Sequence, residues 1–180
     1  IAVTGASREA TVLDAQRGGR VVTGTPGARV VLARITITGG RTADAGGGIA
    51  CDGCASLALT GVAVLDNETT GIACSGGGAL VLDAVLRVVD STFVGNRTLQ
   101  DYSHGGGIYV GDGRNMFVST LFADNDSAHH GEAFFGGSPE SLFIACTFAD
   151  HPGVPIFLSY SNAEMYNTVV WDSDGAIVVD

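Results

Sequence analysis

Residues 86–96, LRVVDSTFVGN, and residues 116–125, MFVSTLFADN, both end in an asparagine with a phenylalanine three positions before it. The pairs are Phe93 with Asn96 and Phe122 with Asn125. Upstream, residues 57–67, LALTGVAVLDN, end the same way with Val64 and Asn67, so the three asparagines are spaced by 29 and 29 residues. Fainter copies flank them. LFIACTFADH (142–151) sets Phe148 three before His151, MYNTVVWDS (165–173) sets Val170 before Ser173, and VVLARITITGG (30–40) ends at Gly40. A second motif lies between copies: GGGI at 46–49 and 105–108, with weaker versions at Thr70-Gly71-Ile72, Gly131-Glu132-Ala133-Phe134 and Val154-Pro155-Ile156-Phe157. The chain is therefore a string of similar units of about 22 to 30 residues.

Within a unit, pairs such as Leu57 and Leu59 or Ile35 and Ile37 alternate at the period of a strand. No window carries the i, i+3, i+4 pattern of a capped helix. A strand-only unit this short cannot bury its own apolar face, whereas units stacked on one another can. The reading is an all-β chain folded as a parallel β-helix, a β-solenoid of about six coils spanning 1–180 as one domain. An irregular β-sandwich would not hold so constant a spacing. In the stack, Asn67, Asn96 and Asn125 form a hydrogen-bonded ladder. Phe93, Phe122 and Phe148 point inward on top of one another, and the glycines serve the tight turns.

Composition agrees. Apolar residues make up 46% and charged residues 16%, which excludes a disordered chain. Twenty-seven glycines against four prolines fit many turns between short strands. Nineteen acidic residues oppose nine basic ones, a net charge of −10, which argues against a nucleic-acid partner. No apolar run approaches the roughly 20 residues of a transmembrane segment. The chain starts at Ile1 rather than Met and shows no signal-peptide pattern, so it reads as a mature or excised piece.

GGGI alternating with FxxN resembles the GGAI and FxxN repeats of the polymorphic outer-membrane protein family. It is also similar to the right-handed β-helix repeats of large bacterial surface and secreted proteins. TVLDAQRGGRVVTGTPGARVVLARITITGG (11–40) resembles the coil that opens such regions. The likeness spans nearly the whole chain, strongest over 46–135 and weaker after Phe135. It implies a right-handed helix displayed extracellularly or at the outer-membrane surface, serving as an adhesin or passenger segment beside a separate anchor domain. The function expected is thus non-enzymatic, structural or adhesive, with a glycan or protein of the cell surface as partner.

Two other functions stay open. One is a carbohydrate-active enzyme, a lyase or glycosidase on acidic polysaccharide, because such enzymes share the fold. It needs paired carboxylates on one groove, and most carboxylates here fall singly in turns. The other is a packing subunit of a larger assembly. The densest polar patch, DNDSAHHGE (124–132), reads as a metal or glycan site using Asp124, Asp126, His129, His130 and Glu132. His104 and His130 each precede a glycine motif by one residue and lie 26 residues apart, one coil. Their Cα atoms should stack about 4.8 Å apart. The binding candidates are therefore His104, His130, Asp126, Glu132 and Tyr102. No cofactor is expected beyond a possible divalent metal shared by the two imidazoles, and no catalytic residue is assigned. The four tyrosines do not share a repeat position and make no stacking face.

Four cysteines complete the reading. Cys51 and Cys74 each close a Gly-Ile-Ala-Cys run, which places them on successive coils within disulfide reach. The expected bond is Cys51–Cys74, or one with Cys54 replacing either. Cys146 alternates with Leu142, Ile144 and Phe148 and should be a buried free thiol. Both ends are apolar and uncapped, Ile1-Ala2-Val3 and Ile177-Val178-Val179. Open strand edges invite pairing, so the native chain should continue past an end or have neighbouring subunits covering the solenoid ends.

Overall fold

The computed structural model describes residues 1–137, 140–175 and 177–180. Each full coil runs through four short strands, and like strands pair in parallel from coil to coil. Sheet I holds the longest strands, among them Arg29–Ala33, Ser56–Thr60, Val85–Val89, Arg114–Val118 and Glu140–Ile144. Sheet II carries Thr36–Thr38, Ala63–Leu65, Thr92–Val94, Leu121–Ala123 and Thr147–Ala149. Sheet III is only two residues wide, with strands Arg41–Thr42, Glu68–Thr69, Arg97–Thr98 and Asp126–Ser127. Sheet IV closes the coil with Ile49–Asp52, Ala79–Leu82, Ile108–Val110, Phe134–Gly137 and Ile156–Ser159. Sheets I, II and IV are seven strands deep, and no helix occurs among the described residues. The result is an all-β parallel β-solenoid of about five turns, irregular in its first and last coils.

Stacked corners turn the chain. Between sheets I and II, Arg34, Gly61, Asp90, Ser119, Ala145 and Asn167 share left-handed backbone, with φ between 49° and 61° for the middle four. After sheet II, the column Gly39, Asp66, Gly95, Asp124, Asp150 and Asp172 does the same. Asp, Asn and Gly tolerate this region best, which is why these types recur there. Each left-handed residue also resets which face the next side chain meets. That corrects the expectation for Cys146. It is buried and free as expected, but Leu142 and Ile144 face outward, because the left-handed Ala145 breaks the alternation. Cys146 instead occupies a corner column with Ser91 and Thr120. There its thiol donates to the carbonyl of Ile144, as the hydroxyls donate to Val89 and Val118.

The interior is aliphatic at one end and aromatic at the other. Ile35, Ile37, Leu57, Leu59, Val62 and Val64 fill the early coils. Later, Phe93, Phe122 and Phe148 stack in register, centroids 5.2 and 4.7 Å apart and planes within 14° and 1°. Phe117 and Phe143 form a second stack at 4.9 Å, edge-on to neighbouring rings. Such pairs add about 0.5–1.5 kcal/mol each beyond their buried area.

Asn67, Asn96 and Asn125 lie fully buried beside this core. The Asn96 side-chain oxygen accepts the Asn67 backbone N–H and its amide at 3.1 Å each, and Asn125 does the same for Asn96. Each amide also donates to a carbonyl of the preceding coil, at Ile37, Val64 and Phe93. Below Asn67 the bare N–H of Gly40 takes the acceptor, and above Asn125 the ring of His151 supplies it.

The disulfide joins Cys51 to Cys54, not Cys51 to Cys74. Register explains the difference. Gly46–Gly48 stacks on Gly76–Gly78, so Cys51 lies opposite Val81. The second Gly-Ile-Ala-Cys run falls earlier in its coil, in the turn ahead of those glycines. Its Cys74 thiol donates to the carbonyl of Ala43. Cys54 returns to Cys51 through the turn at Gly53, and both are 1% exposed.

Candidate functional site

Where sheet III gives way to sheet IV, successive coils place His104 over His130 as an isolated parallel bridge. Backbone bonds hold both in place. The His104 N–H donates to the Ser75 hydroxyl, its carbonyl accepts from Gly76, and the His130 carbonyl accepts from Gly105. The rings stack with centroids 5.7 Å apart. A few residues on, Tyr109, Phe135 and Phe157 share one outward register of sheet IV. They form a ribbon of parallel rings 5.0 and 5.3 Å apart. His104 packs on Phe135 at 4.4 Å and His130 on Phe157 at 4.6 Å. The imidazole faces are thus occupied by phenyl rings.

Between them stands the exposed His129, 4.0 Å from His130, 4.9 Å from His104 and 5.8 Å from the exposed Tyr102. Burial holds His104 down at about 4, with repulsion from His129 and His130 adding to it. Burial and then His129 also lower His130, opposed by Asp180. At neutral pH His104 is an uncharged imidazole. Its Nδ1 is buried without a hydrogen-bond partner.

Asp126 and Glu132, also expected at this patch, belong to the opposite side of the turn. Asp126 opens a sheet III strand beside Arg97. Glu132 is 7% exposed, and a Cβ on Gly153 would lie within contact of its Oε1. Its Oε2 has no partner, and burial pushes the carboxyl up to about 7, the nearby Asp126 charge adding to the effect. The five sequence candidates therefore divide into Tyr102, His104 and His130 on one side and Asp126 and Glu132 on the other. Among the described residues, no three His, Cys, Asp or Glu side chains already converge on one metal position.

His129 was expected in the polar patch 124–132, but repeat spacing does not show that its ring stands between those of His104 and His130. Two features escaped the sequence reading. The aromatic ribbon was missed because only tyrosines were compared, whereas Tyr109 continues into Phe135 and Phe157. The other is an open groove of about 450 Å³ lined by Asp124, Asp126, Asp150, Asp172 and Asp174 with Arg97 and His151. It gathers carboxylates that look solitary along the chain. The left-handed corner stacks Asp124, Asp150 and Asp172, which are 26 and 22 residues apart.

The fold and this face define a parallel β-solenoid whose sheet IV carries a strip of stacked aromatic and imidazole rings, with Phe135 buried between Tyr109 and Phe157. Compared with known proteins, the chain matches no family description, no curated sequence and no solved structure. No helix among the described residues is long and apolar enough to cross a membrane.

Proposed function

We propose that this chain is a non-enzymatic adhesive segment displayed on a bacterial surface, the role carried by the polymorphic outer-membrane repeats it resembles. Its partner is a glycan or protein of the cell surface. The observation that carries this reading is the strip of Tyr109, Phe135 and Phe157 bordered by His104, His129 and His130. Ring edges give apolar contact area at small entropic cost, and imidazoles beside them add donors and acceptors, the mixture that recognises amphipathic ligands. The buried Cys51–Cys54 bond supports an oxidising compartment. A glycan array probed with and without Ca²⁺ tests the reading. Binding that disappears in Phe157→Ala and Tyr109→Ala, with melting curves retained, supports it. Binding insensitive to both moves the ligand elsewhere.

A second reading, an enzyme on acidic polysaccharide, has one observation in its favour. Glu132 holds its proton near neutrality beside Asp126, the separation of roles that acid–base chemistry requires. Release of reducing ends or unsaturated sugars from polyuronates, abolished by Glu132→Gln, would favour it over adhesion.

A further inference from the structure

We infer that His104, His129 and His130 form a binding site for a borderline divalent transition metal such as Zn²⁺, Ni²⁺ or Cu²⁺. A metal bound to an imidazole nitrogen at roughly 2.1 Å sits about 3 Å from the ring centre. Two rings on one metal therefore have centroids about 4 to 6 Å apart. The three pairs here measure 4.0, 4.9 and 5.7 Å. The backbone already gathers the ligands at the right spacing, so convergence takes ring rotation rather than chain movement.

Two of the three are preorganised. The backbones of His104 and His130 are fixed by main-chain register, and their rings pack against Phe135 and Phe157. His129 is exposed and free to turn toward them, and Tyr102 stands beside it. The three imidazoles are nitrogen donors, which favours Zn²⁺, Ni²⁺ and Cu²⁺ over Ca²⁺ and Mg²⁺, which take oxygen ligands. Three ligands leave a coordination position for water or for a donor from a partner. This site stands whether or not a glycan binds the neighbouring strip.

The test is calorimetric titration of the 180-residue protein with Ni²⁺ and Zn²⁺, with Cu²⁺ added for electron paramagnetic resonance. The expected result is one equivalent bound, with a Cu²⁺ spectrum split by several nitrogens. His104→Ala, His129→Ala and His130→Ala should each weaken binding by roughly tenfold or more. His129 is exposed, so its variant keeps the fold and serves as the decisive one. Cys74→Ser removes the half-exposed thiol and should leave binding unchanged. Affinity unaltered by His129→Ala, loss of binding in Cys74→Ser, or no saturable uptake by the wild type would each overturn the site.

Discussion

The corner before sheet IV is built in two ways. At Gly76–Gly78 and Gly105–Gly107 the first glycine is left-handed and the second leaves no room for a side chain. A Cβ on Gly77 would collide with the carbonyl of Arg97, and one on Gly106 with that of Asp126. Those carbonyls belong to the sheet III strand of the next coil. At the third corner the sequence is Gly131-Glu132-Ala133, and a glutamate stands where glycine is required. The strand that should pack there is displaced, and sheet III has no member beyond Asp126–Ser127 among the described residues. The turn His151-Pro152-Gly153 replaces it, with Gly153 accommodating the carboxylate. The asparagine-to-histidine step is 26 residues rather than 29, and the three missing residues fall between Asn125 and Glu132. In the regular coils every asparagine of the ladder is paired. The late corner keeps two buried atoms without partners, Glu132 Oε2 and His151 Nε2.

The sharpest way to break the regular side is Asn96→Ala. It strips the Asn67 amide groups of their acceptor and the Val64 carbonyl of its donor. With each orphaned buried group costing about 1–3 kcal/mol, the loss should reach about 3 kcal/mol in chemical denaturation. An unchanged midpoint would show that water replaces the ladder and that pairing does not distinguish the two regions.

Next in size is the covalent link of the regular side. Reducing Cys51–Cys54, a very short loop, should cost roughly 2 kcal/mol. Peptide mapping of the unfolded, unreduced chain should find this bond and free thiols at Cys74 and Cys146, with Cys74 alone alkylated in the native state. Four free thiols would remove the bond and with it the argument for an oxidising compartment.

How far the sequence carried this account depends on what each element needs. The FxxN copies were legible because a ladder demands the same side chain in each coil. Their spacing set the fold and the stack of Phe93, Phe122 and Phe148. The glycine motif was legible at 46–49 and 105–108 but not at 76–80, where Ala79 and Leu80 replace the expected isoleucine. Without that copy, Gly71-Ile72-Ala73-Cys74 took its place and set Cys51–Cys74 ahead of the alternative with Cys54, which is the bond that forms. Identity of letters lost to hydrogen-bond register. At the site, His104 and His130 were legible as a column and His129 as part of the same polar run, but its place between their rings was not, because contacts between columns leave no periodic trace. Asp126 and Glu132 were assigned to the imidazoles by nearness in sequence, and the turn at Gly131 sends them apart.

A smaller effect, of order 1 kcal/mol, should come from Glu132→Gln, which keeps the shape and removes the charge. The carboxyl is raised from 4.5 to about 7. The folded state therefore favours the protonated acid, so the wild type is unpenalised below pH 4.5 and loses stability as pH rises through 7. The variant should match the wild type in acid and exceed it above neutrality. Equal stability of the two at pH 8 would mean that the ionised carboxylate has a partner after all, and the contrast between the corners would shrink to one of shape.

The smallest and most discriminating change concerns the top of the ladder, where His151 does the work of an asparagine. Its Nδ1 lies 3.3 Å from the Asn125 nitrogen and 3.2 Å from the Asn125 carbonyl oxygen, and in the tautomer that extends the ladder it is unprotonated and accepts the N–H. The ring is 2% exposed, and burial lowers its pKa below 6.5 against opposing contributions from the Asn125 and Phe122 carbonyls and from Asp124 and Asp150. A depressed folded-state pKa means the neutral ring stabilises the fold above the unfolded value. That contribution is lost as pH falls below 6.5. Asparagine has no such dependence and would carry the ladder one coil further. His151→Asn should therefore differ from the wild type by less than about 1 kcal/mol at pH 7.5 and gain on it steadily toward pH 5. His104 titrates in both proteins, so it cancels in the difference. Parallel stability curves across this range would show that the ring keeps its charge state on unfolding, and that the last rung is held by shape rather than by an accepted hydrogen bond.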